Sequence, residues 1–397
     1  MNFLRKYIDK IKPNFEQGGR WHTFRSVFEG LETFLFVPNT TSKTGVHIHD
    51  ANDSKRTMTI VIIALLPCLL FGMYNAGYQH YQALGQYPDF QTTFLFGFLS
   101  VMPIVIVSYL VGLGIEFTVA QLKGEEIQEG FLVSGLLIPL VVSIDTPLWM
   151  IAVATAFAVI FAKEAFGGTG FNVWNVALVT RAFLFFAYPS KISGESVFVR
   201  TDSVLGFGAG KITDAFSGAT PLGQIGTATQ SVQITDTIGN TLSQWDMFLG
   251  LIPGSIGETS KLCILIGAII LITTGIANWR IMLSVFVGGV VTAQIFNVIG
   301  TTPSMQIPPF EHILLGGFAF GAVFMATDPV TSCRTRNGKY IFGFLTGTLA
   351  ILIRILNPGY PEGMMLAILL MNSFAPLIDH VVVEGNVKRR LKRINKR

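Results

Sequence analysis

Charged residues are scarce in this sequence. They make up 13% of the 397 residues, whereas half of the residues are hydrophobic and the mean hydropathy is +0.54. A soluble protein carries about twice this proportion of charge, so the composition predicts an integral membrane protein. The net charge of +4 comes largely from cations that flank apolar runs. Such flanks are typical of the cytoplasmic side of a membrane, and nucleic-acid binding is not expected. The first 56 residues lack an early apolar run, so no cleavable signal peptide is expected either.

Cysteine and histidine are also sparse. Cys68, Cys263 and Cys333 lie far apart in the sequence, and no pair has the spacing of a metal or iron–sulfur site. The six histidines form no HExxH motif. The segment His47-Ile48-His49 could bind a metal, but a solvated segment before the membrane is the favoured interpretation. A metal cluster held by this chain alone is therefore not expected.

Long apolar runs dominate what is present. Ten of them are treated as long enough to cross about 30 Å of hydrocarbon. They lie at 57–78, 92–120, 130–144, 147–163, 172–189, 260–277, 280–300, 312–327, 339–356 and 363–384. The sequence therefore predicts an all-α polytopic membrane protein with ten transmembrane helices. Ten spans put both termini on one side, and the positive-inside rule places that side in the cytoplasm because the basic C-terminal residues lie there. The polar loop 190–246 then lies on the outer face.

The chain also contains a weak internal repeat. Gly135–Pro147 resembles Gly321–Pro329, and each copy is followed by an apolar span, a Gly/Pro turn and a second span with a polar residue. Two halves of five spans each have opposite topology, which predicts an inverted repeat with broken helices near the midplane. The predicted segments are a cytoplasmic N-terminal segment (1–56), a first five-helix repeat (57–189), an outer loop (190–246), a second five-helix repeat (247–384) and a basic cytoplasmic tail (385–397).

Polar groups inside apolar spans are costly and are candidates for function. Asn172 and Asn175 follow a Gly-rich turn, and their spacing predicts that they share one helix face at a helix N-terminus. Amide donors beside unpaired backbone N–H groups suit an anion or a planar, acceptor-rich heterocycle. Helix capping by Asn172 is the competing explanation. Lys163-Glu164 could be an interfacial ion pair and Asp379-His380 a snorkelled helix end, and function is an equal alternative for both.

A second candidate lies in the outer loop, where residues 214–222 read Asp-Ala-Phe-Ser-Gly-Ala-Thr-Pro-Leu. A hydroxyl that is framed by small residues and followed by proline is an exposed, sterically open acceptor for a bulky covalent group. An ordinary turn is the alternative, since Ser, Gly and Pro are turn formers. Composition alone favours the turn.

Several other segments carry a resemblance to a known family. They are Glu29–Phe34, Phe71–Gly77, Ala162–Asn172, Arg181–Pro189, Ile252–Glu258, Phe324–Pro329 and Tyr360–Leu369. Together they resemble the B subunit of the bacterial sodium-translocating NADH:quinone oxidoreductases, nearly from end to end. The D subunit of the Rnf electron-transport complex is related, but it lacks the long N-terminal segment with Glu29–Phe34. That segment favours the quinone reductase.

The resemblance implies a urea-transporter-like fold in the bacterial inner membrane and a covalent flavin in the periplasm. In the family, FMN is joined through its phosphate to the last residue of a Ser-Gly-Ala-Thr motif, which here is Ser217, Gly218, Ala219 and Thr220. A separate flavin transferase, which reads Asp214 through Pro221, is implied as the partner that attaches it. The phosphodiester at Thr220 would leave the flavin ring free to pass electrons.

The resemblance also implies a non-covalent riboflavin and a quinone site. The positions that match the riboflavin pocket are Ser134, Asn172 and Asn175, and those that match the quinone site are Gly112 and Glu116. The implied activity is electron transfer from NADH through FMN and riboflavin to ubiquinone, coupled to export of Na⁺ from cytoplasm to periplasm. It requires the partner subunits A, C, D, E and F of a six-subunit complex.

Glu116 and Asp379 are the acids expected in the cytoplasmic half of the membrane, and they are candidates for sodium uptake. Oxygen ligands suit a hard cation, and an intramembrane carboxylate needs a cation as a partner. The alternative is that each acid pairs with a basic group of another span or subunit. For the whole chain, a Rnf-type subunit and a solute channel of urea-transporter type stay open as alternatives, since a fold does not determine a function.

Overall fold

The computed structural model describes residues 2–16, 19–21, 25–36, 44–46, 54–124, 130–192, 197–200, 202–208, 218–228, 234–357 and 359–394. Within these residues the chain is helical, and β pairing is limited to two isolated bridges. The helices are α1 (Asn2–Ile11), α2 (Arg25–Leu35), α3 (Ser54–Ala83), α4 (Phe90–Lys123), α5 (Phe131–Val141), α6 (Leu148–Ala158), α7 (Val176–Ala187), α8 (Pro189–Ile192), α9 (Pro221–Thr227), α10 (Gln244–Leu249), α11 (Lys261–Thr273), α12 (Trp279–Ile299), α13 (Pro309–Leu314), α14 (Phe318–Phe320), α15 (Arg336–Leu356) and α16 (Met364–Ile394). The all-α prediction is confirmed for this part of the chain.

Six helical stretches are long and apolar enough to cross a membrane: α3, α4, the stretch Leu148–Phe166 that begins with α6, α12, α15 and α16. The helices α5, α7 and α11 are apolar but shorter, with 11, 12 and 13 residues. The predicted run at 312–327 is divided between α13, α14 and a π-helical turn, Gly321–Met325. A multi-pass helical architecture is confirmed, whereas the count of ten spans and the inverted repeat stay predictions.

The basic C-terminal segment belongs to a helix. α16 continues for 31 residues, from Met364 to Ile394, without a break at residue 385. The predicted boundary at this position therefore marks a change in composition, not in structure. At about 1.5 Å per residue the helix is about 46 Å long, which exceeds the roughly 30 Å of hydrocarbon, so its basic last turns extend beyond the apolar layer.

Glycines allow the long helices to pack backbone against backbone. A Cβ on Gly97 of α4 would lie 1.6 Å from the carbonyl oxygen of Met73 in α3. A Cβ on Gly347 of α15 would lie 2.1 Å from the carbonyl oxygen of Val285 in α12. Close approach of this kind stabilises helix pairs in lipid through dispersion contacts, and a larger residue at either position would separate the helices.

The end of α5 is closed by the segment 252–258. The N–H of Gly257 donates to the carbonyl oxygen of Leu140 over 2.7 Å, and the N–H of Ile256 donates to that of Val142 over 3.3 Å. Backbone groups that leave helical pairing inside a membrane must be satisfied by neighbouring protein. The short helix α5 therefore ends inside the protein, with 252–258 as its cover.

Hydrogen bonds attach the outer loop to the C-terminal end of α3. Gln82 Nε2 donates to Asp236 Oδ2 over 3.0 Å, and Thr237 Oγ1 donates to Gln79 Oε1 over 2.6 Å. Since α3 ends at Ala83, this part of the 190–246 loop lies at that end of the helix. The first turns of α3 lie at the opposite end, where Thr57, Met58 and Val61 line a cavity.

Candidate functional site

Ser134, Asn172 and Asn175 line one cavity. It lies where the first turns of α3, α5 and α7 meet the π-helical turn and the loop after it. Its empty volume is about 880 Å³, a figure that includes space open to solvent. The apolar part of the wall includes Val133, Leu137, Val176, Leu271 and Phe324. A mainly apolar wall with a few polar groups is typical of small-molecule sites.

A glycine turn brings Asn172 to this cavity. Gly167, Gly168 and Gly170 have φ angles of +114°, +90° and +88°, in a backbone region that residues with a Cβ rarely adopt. Asn172 Nδ2 donates to the carbonyl oxygen of Trp174 over 3.0 Å. This contact holds the side chain in the loop ahead of α7.

The prediction that Asn172 and Asn175 share one helix face is wrong. α7 begins only at Val176, so Asn172 precedes the helix. Asn175 is the N-cap, because its Oδ1 accepts the N–H groups of Ala177 and Leu178 over 3.0 and 3.3 Å. The competing explanation, capping by Asn172, is therefore wrong as well. The spacing of three residues reflects a turn, yet both side chains still reach the cavity.

Asp328 belongs to the polar part of the cavity wall. Asn175 Nδ2 donates to Asp328 Oδ2 over 3.3 Å, and the N–H of Val330 donates to Asp328 Oδ1 over 3.0 Å. This acid follows the π-helical turn Gly321–Met325. Such turns interrupt regular helical pairing and are frequent at functional sites. Both the oxygen and the nitrogen of the Asn175 side-chain amide therefore form hydrogen bonds within the chain.

Glu116 forms an ion pair with Lys163, a residue of the cavity wall. Lys163 Nζ donates to Glu116 Oε1 over 2.6 Å, and the two side chains are 4% and 6% exposed. Thr169 Oγ1 donates to the same carboxylate oxygen over 3.3 Å. Lys163 and Thr169 also line the cavity. The structure thus provides the ion pair that was the alternative for this acid, and its sodium and quinone roles stay predictions.

The neighbours of Glu116 have structural contacts of their own. Gly112, one turn earlier in α4, faces Phe131, and a Cβ at this position would lie 2.0 Å from the phenyl ring. The quinone role of Gly112 also stays a prediction. Glu164 pairs with Lys123 over 3.7 Å. Lys163 and Glu164 therefore each form their ion pair with another residue, Lys163 with Glu116 and Glu164 with Lys123.

Asp379 fixes the loop before α15. Its Oδ2 accepts the N–H of Arg334 over 2.7 Å, and its Oδ1 accepts the N–H and the hydroxyl of Thr335 over 3.0 and 2.5 Å. Thr335 is in turn the N-cap of α15. Because α16 continues to Ile394, the alternative of a snorkelled helix end is wrong. The sodium role of Asp379 stays a prediction.

Thr220 is the N-cap of α9. Its Oγ1 accepts the N–H of Gly223 over 3.1 Å, a contact that does not use the hydroxyl proton. Gly218 and Ala219 are buried and Thr220 is half-buried, so this part of the motif is less exposed than the sequence predicts. The predicted motif residues Asp214 and Ser217 lie outside the described residues.

A narrow cleft of about 330 Å³ empty volume lies beside Thr220. Its other walls include Ser255, Glu258, Lys261, Gly316 and Glu362. Lys261 Nζ donates to the carbonyl oxygens of Glu258, Thr259 and Gly316 over 2.8, 3.1 and 3.2 Å. A buried ammonium group therefore holds the segment before α11 against Gly316 at this cleft.

Sequence reasoning missed the ion cluster at this cleft. Arg181 Nη1 donates to Ser255 Oγ and to Glu258 Oε1, each over 3.2 Å, and its Nη2 pairs with Glu362. Arg181 and Glu258 are each 2% exposed. Burial raises the pKa of the Glu258 carboxyl, and the Arg181 guanidinium opposes that rise. Arg181 lies in α7, whereas the two acids precede α11 and α16, so the guanidinium cross-links segments before and after the outer loop.

One signal could have found this cluster. Arg181 is an isolated cation in an apolar span, and Glu258 and Glu362 are isolated acids in Gly/Pro-rich segments. Charges inside a membrane protein are tolerated chiefly when they pair with one another. The sequence separations of 77 and 181 residues hide the pairing from any local pattern.

The cavity and the Thr220 cleft lie at opposite ends of α11. Leu271 lines the cavity and Lys261 lines the cleft. These residues are ten positions apart, which corresponds to about 15 Å along a helix at about 1.5 Å per residue. The two candidate flavin positions are therefore separate sites.

The sequence profile of the NQR2, RnfD, RnfE family matches residues 41–388. The chain belongs to this family. The match includes every residue of the cavity and of the Thr220 cleft, whereas α1 and α2 precede it.

Full-length relatives agree with this family. The B subunit of the Na(+)-translocating NADH-quinone reductase from Chromohalobacter salexigens is 44% identical, over 98% of this chain and 96% of its own length. Proteins of the same name from Azotobacter vinelandii and Ectopseudomonas mendocina are 41% and 40% identical, over 98% of this chain and 99% of their own. The resemblance seen in the sequence is confirmed. A multi-pass membrane protein fits both the apolar helices and these family relationships.

Proposed function

We propose that this chain is the membrane-embedded B subunit of a Na⁺-translocating NADH-quinone reductase. Proteins with that name align with 98% of the chain. The observation that carries the proposal is the cavity, because Ser134 of α5 lines the same space as Asn172 and Asn175, which lie about forty residues later in the sequence. These are the residues that the resemblance implies for riboflavin.

The cavity suits riboflavin, and Thr220 suits a covalent FMN. The mainly apolar walls of the cavity fit a flat heteroaromatic ring, while Ser134 and Asn172 supply hydrogen-bonding groups at its edge. Thr220 supplies a hydroxyl beside a cleft, to which a flavin transferase would join FMN through a phosphodiester. A bound flavin supplies a ring that accepts and donates electrons. The chain orients that ring and excludes water from it.

The two sites face opposite sides of the membrane in this proposal. Thr220 and the outer loop face the periplasm, and the cavity faces the cytoplasm of a bacterial cell, as do both termini. Basic residues are grouped at the cavity end of the protein. Lys123 pairs with Glu164, and the backbone N–H of Arg334 donates to Asp379. The helix α16 runs toward the same end, so its basic last turns lie there as well. This grouping supports the orientation, because cytoplasmic ends of spans are enriched in Lys and Arg.

The proposal includes ten spans in two inverted halves of a urea-transporter-like fold. Its support is the order of elements before and after the outer loop. α3, α4, the short α5, the stretch Leu148–Phe166 and α7 precede the loop. α11, α12, the broken segment from α13 to Met325, α15 and α16 follow it. The third of the five elements is short in the first half and broken in the second.

The remaining roles belong to the complex with subunits A, C, D, E and F. We place ubiquinone near Gly112 and Glu116, and sodium uptake near Glu116 and Asp379. Electrons would pass to ubiquinone while Na⁺ is exported to the periplasm. The support is the position of Glu116, whose partner Lys163 lines the cavity.

A deletion strain tests this function. Membranes that lack the chain should lose Na⁺-stimulated quinone reduction by NADH, and the full-length chain should restore it. Restoration of ferredoxin-dependent NAD reduction instead would identify a Rnf-type subunit. A purified chain without flavin fluorescence on a denaturing gel would favour a solute channel.

A further inference from the structure

An open groove runs between α12 and α15 on the surface of the helix bundle. Its walls are Leu283, Ser284 and Val287 of α12 and Tyr340, Ile341, Phe344 and Leu345 of α15. The two helices are parallel, because Gly343 of α15 lies against Ile281 of α12, and Gly347, one turn later, lies against Val285. The first turns of both helices are therefore at the same end of the groove.

Each wall of the groove has an arginine at that end. Arg280 is four residues before Ser284 in α12, and Arg336 is four residues before Tyr340 in α15. Residues four apart share one helix face, so both arginines belong to the faces that line the groove. The guanidinium carbon of Arg280 lies 5.2 Å from the ring centroid of Trp279, whose ring is in turn 6.5 Å from that of Tyr340.

These two arginines form no ion pair within the described part of the chain. Nε of Arg280 is buried without a hydrogen-bond partner, and Arg336 is exposed. Asp379, which lies beside the start of α15, is occupied by the N–H groups of Arg334 and Thr335. Guanidinium groups match phosphate oxygens in geometry and charge, so this end of the groove suits a phosphate group.

The rest of the groove suits a hydrocarbon chain. Its walls are aliphatic or aromatic apart from Ser284, whose Oγ is within 2.8 and 3.1 Å of the carbonyl oxygens of Arg280 and Ile281. From Arg280 to Val287 the groove extends about 10 Å along α12, which is within one leaflet of a hydrocarbon layer of about 30 Å. Trp and Tyr, present here as Trp279 and Tyr340, are enriched where such a layer meets water.

We propose that this groove binds an anionic phospholipid of the cytoplasmic leaflet. One acyl chain lies between α12 and α15, and the phosphate lies at Arg280 and Arg336. A zwitterionic lipid would bring another cation beside the two arginines, so an anionic headgroup is favoured. The inference is independent of both flavin sites.

Lipid titration tests the assignment. The full-length chain in detergent is given phosphatidylglycerol or phosphatidylcholine with the same acyl chains, and native mass spectrometry measures the lipid that stays bound. Phosphatidylglycerol should bind about ten- to thirtyfold more tightly, as expected for two basic residues beside an anionic lipid. Arg280→Gln/Arg336→Gln should lose this preference, whereas Arg280→Lys/Arg336→Lys keeps both charges and should retain most of it.

Two further variants separate the groove from general attraction. Arg389→Gln/Arg390→Gln removes two charges from the exposed end of α16 and should leave the preference unchanged. Val287→Trp should weaken both lipids by the same factor, because the indole fills the apolar part of the groove. Val287 is 45% exposed, so the larger side chain can be accommodated without repacking the core.

Four outcomes would overturn the assignment. The first is equal affinity of the native chain for the two lipids. The second is an equal loss of preference in the two paired Arg→Gln variants, which would reduce the effect to overall charge. The third is unchanged lipid binding in Val287→Trp. The fourth comes from a photoactivatable residue placed at Leu345 in native membranes: it should cross-link to lipid, and a cross-link to another subunit would show that a partner helix fills the groove.

Discussion

Thr220 has two roles in the proposed function, as the N-cap of α9 and as the attachment point for FMN, and substitution can separate them. Thr220→Ala removes the hydroxyl and the cap. It should abolish the fluorescent band of this subunit on a denaturing gel and destabilise the helix by about 1 kcal/mol. Thr220→Asn keeps a capping acceptor without a hydroxyl to esterify, so it should be non-fluorescent at normal yield. Thr220→Ser should keep part of the fluorescence. A fluorescent Thr220→Asn band would place the flavin elsewhere, with Ser217 as the local rival.

Asn175 also combines two roles, because it caps α7 and donates to Asp328. Asn175→Ala should lose both, with about 0.5–2 kcal/mol of stability from the lost cap. Asn175→Ser keeps a capping oxygen but is too short to replace the amide, so it should be more stable than Asn175→Ala.

Adding Asn172→Ala to either variant should weaken the binding of riboflavin severalfold to a hundredfold, since each hydrogen bond contributes about 0.5–1.5 kcal/mol. Riboflavin content of the purified chain and its thermal unfolding measure the two effects. Unchanged riboflavin content at limiting flavin would remove both residues from the site.

Glu116 and Asp379 are tested through the sodium dependence of turnover. If they act in sodium uptake, Glu116→Gln and Asp379→Asn should raise the Na⁺ concentration for half-maximal quinone reduction in the assembled complex. Glu116→Gln alone leaves the Lys163 ammonium buried without its partner, which is itself destabilising by about 3–5 kcal/mol. The double variant Glu116→Gln/Lys163→Met contains neither charge. A shift that persists in the double variant belongs to the carboxylate, and a shift seen only in the single variant belongs to the unpaired lysine.

At the scale of elements, the apolar runs could be predicted because a lipid-facing helix must be apolar along its length. The run at 92–120 lies within α4, for example. The break in the run at 312–327 could not be predicted in detail, because it depends on distant packing. Gly317 faces the carboxylate of Glu258, and Gly321 faces the side chain of Met364. Neither contact is visible in the local sequence.

The candidate site also combines features that could be predicted from the sequence with features that could not. Ser134, Asn172 and Asn175 could be brought together by resemblance, and the cavity confirms only that they are neighbours. The partner of Glu116 could not be predicted, because Lys163 is 47 residues away. The sequence pattern places the start of α7 too early. In the structure α7 begins only at Val176, so the three-residue spacing between Asn172 and Asn175 lies outside a helix.

Arg181 should be one of the most sensitive positions of the molecule. Arg181→Met leaves Glu258 buried without its guanidinium partner, and breaking a buried ion pair in this way costs about 3–5 kcal/mol. The double variant Arg181→Met/Glu258→Gln should recover part of that loss. Chemical denaturation in detergent measures both, with the surface variant Arg389→Ala as a control that should have little effect. Equal stability of Arg181→Met and the native chain would mean that water or another cation compensates the acids.

At the scale of the whole molecule, the proposed orientation can be tested with single cysteines. In a parent chain with Cys68, Cys263 and Cys333 replaced by Ala, a cysteine is placed at Trp245 or at Lys388, whose side chains are 71% and 68% exposed. A membrane-impermeant maleimide added to intact spheroplasts should label Trp245→Cys. It should label Lys388→Cys only after the membrane is permeabilised. The reverse pattern would invert the topology, and labelling of both positions in intact spheroplasts would exclude the proposed arrangement.

The separation between Lys261 and Leu271 determines how strongly the membrane voltage would act on an electron that moves between the two sites. The intervening length of α11, about 15 Å, is about half of the roughly 30 Å of hydrocarbon. One unit charge that crosses the whole membrane exchanges about 2.3 kcal/mol per 100 mV with the electric field. An electron that moves from the Thr220 end to the cavity end would therefore exchange about 1 kcal/mol per 100 mV. With the Thr220 end outside, it moves toward the negative side, so an energised membrane would oppose this step and a depolarised one would release it.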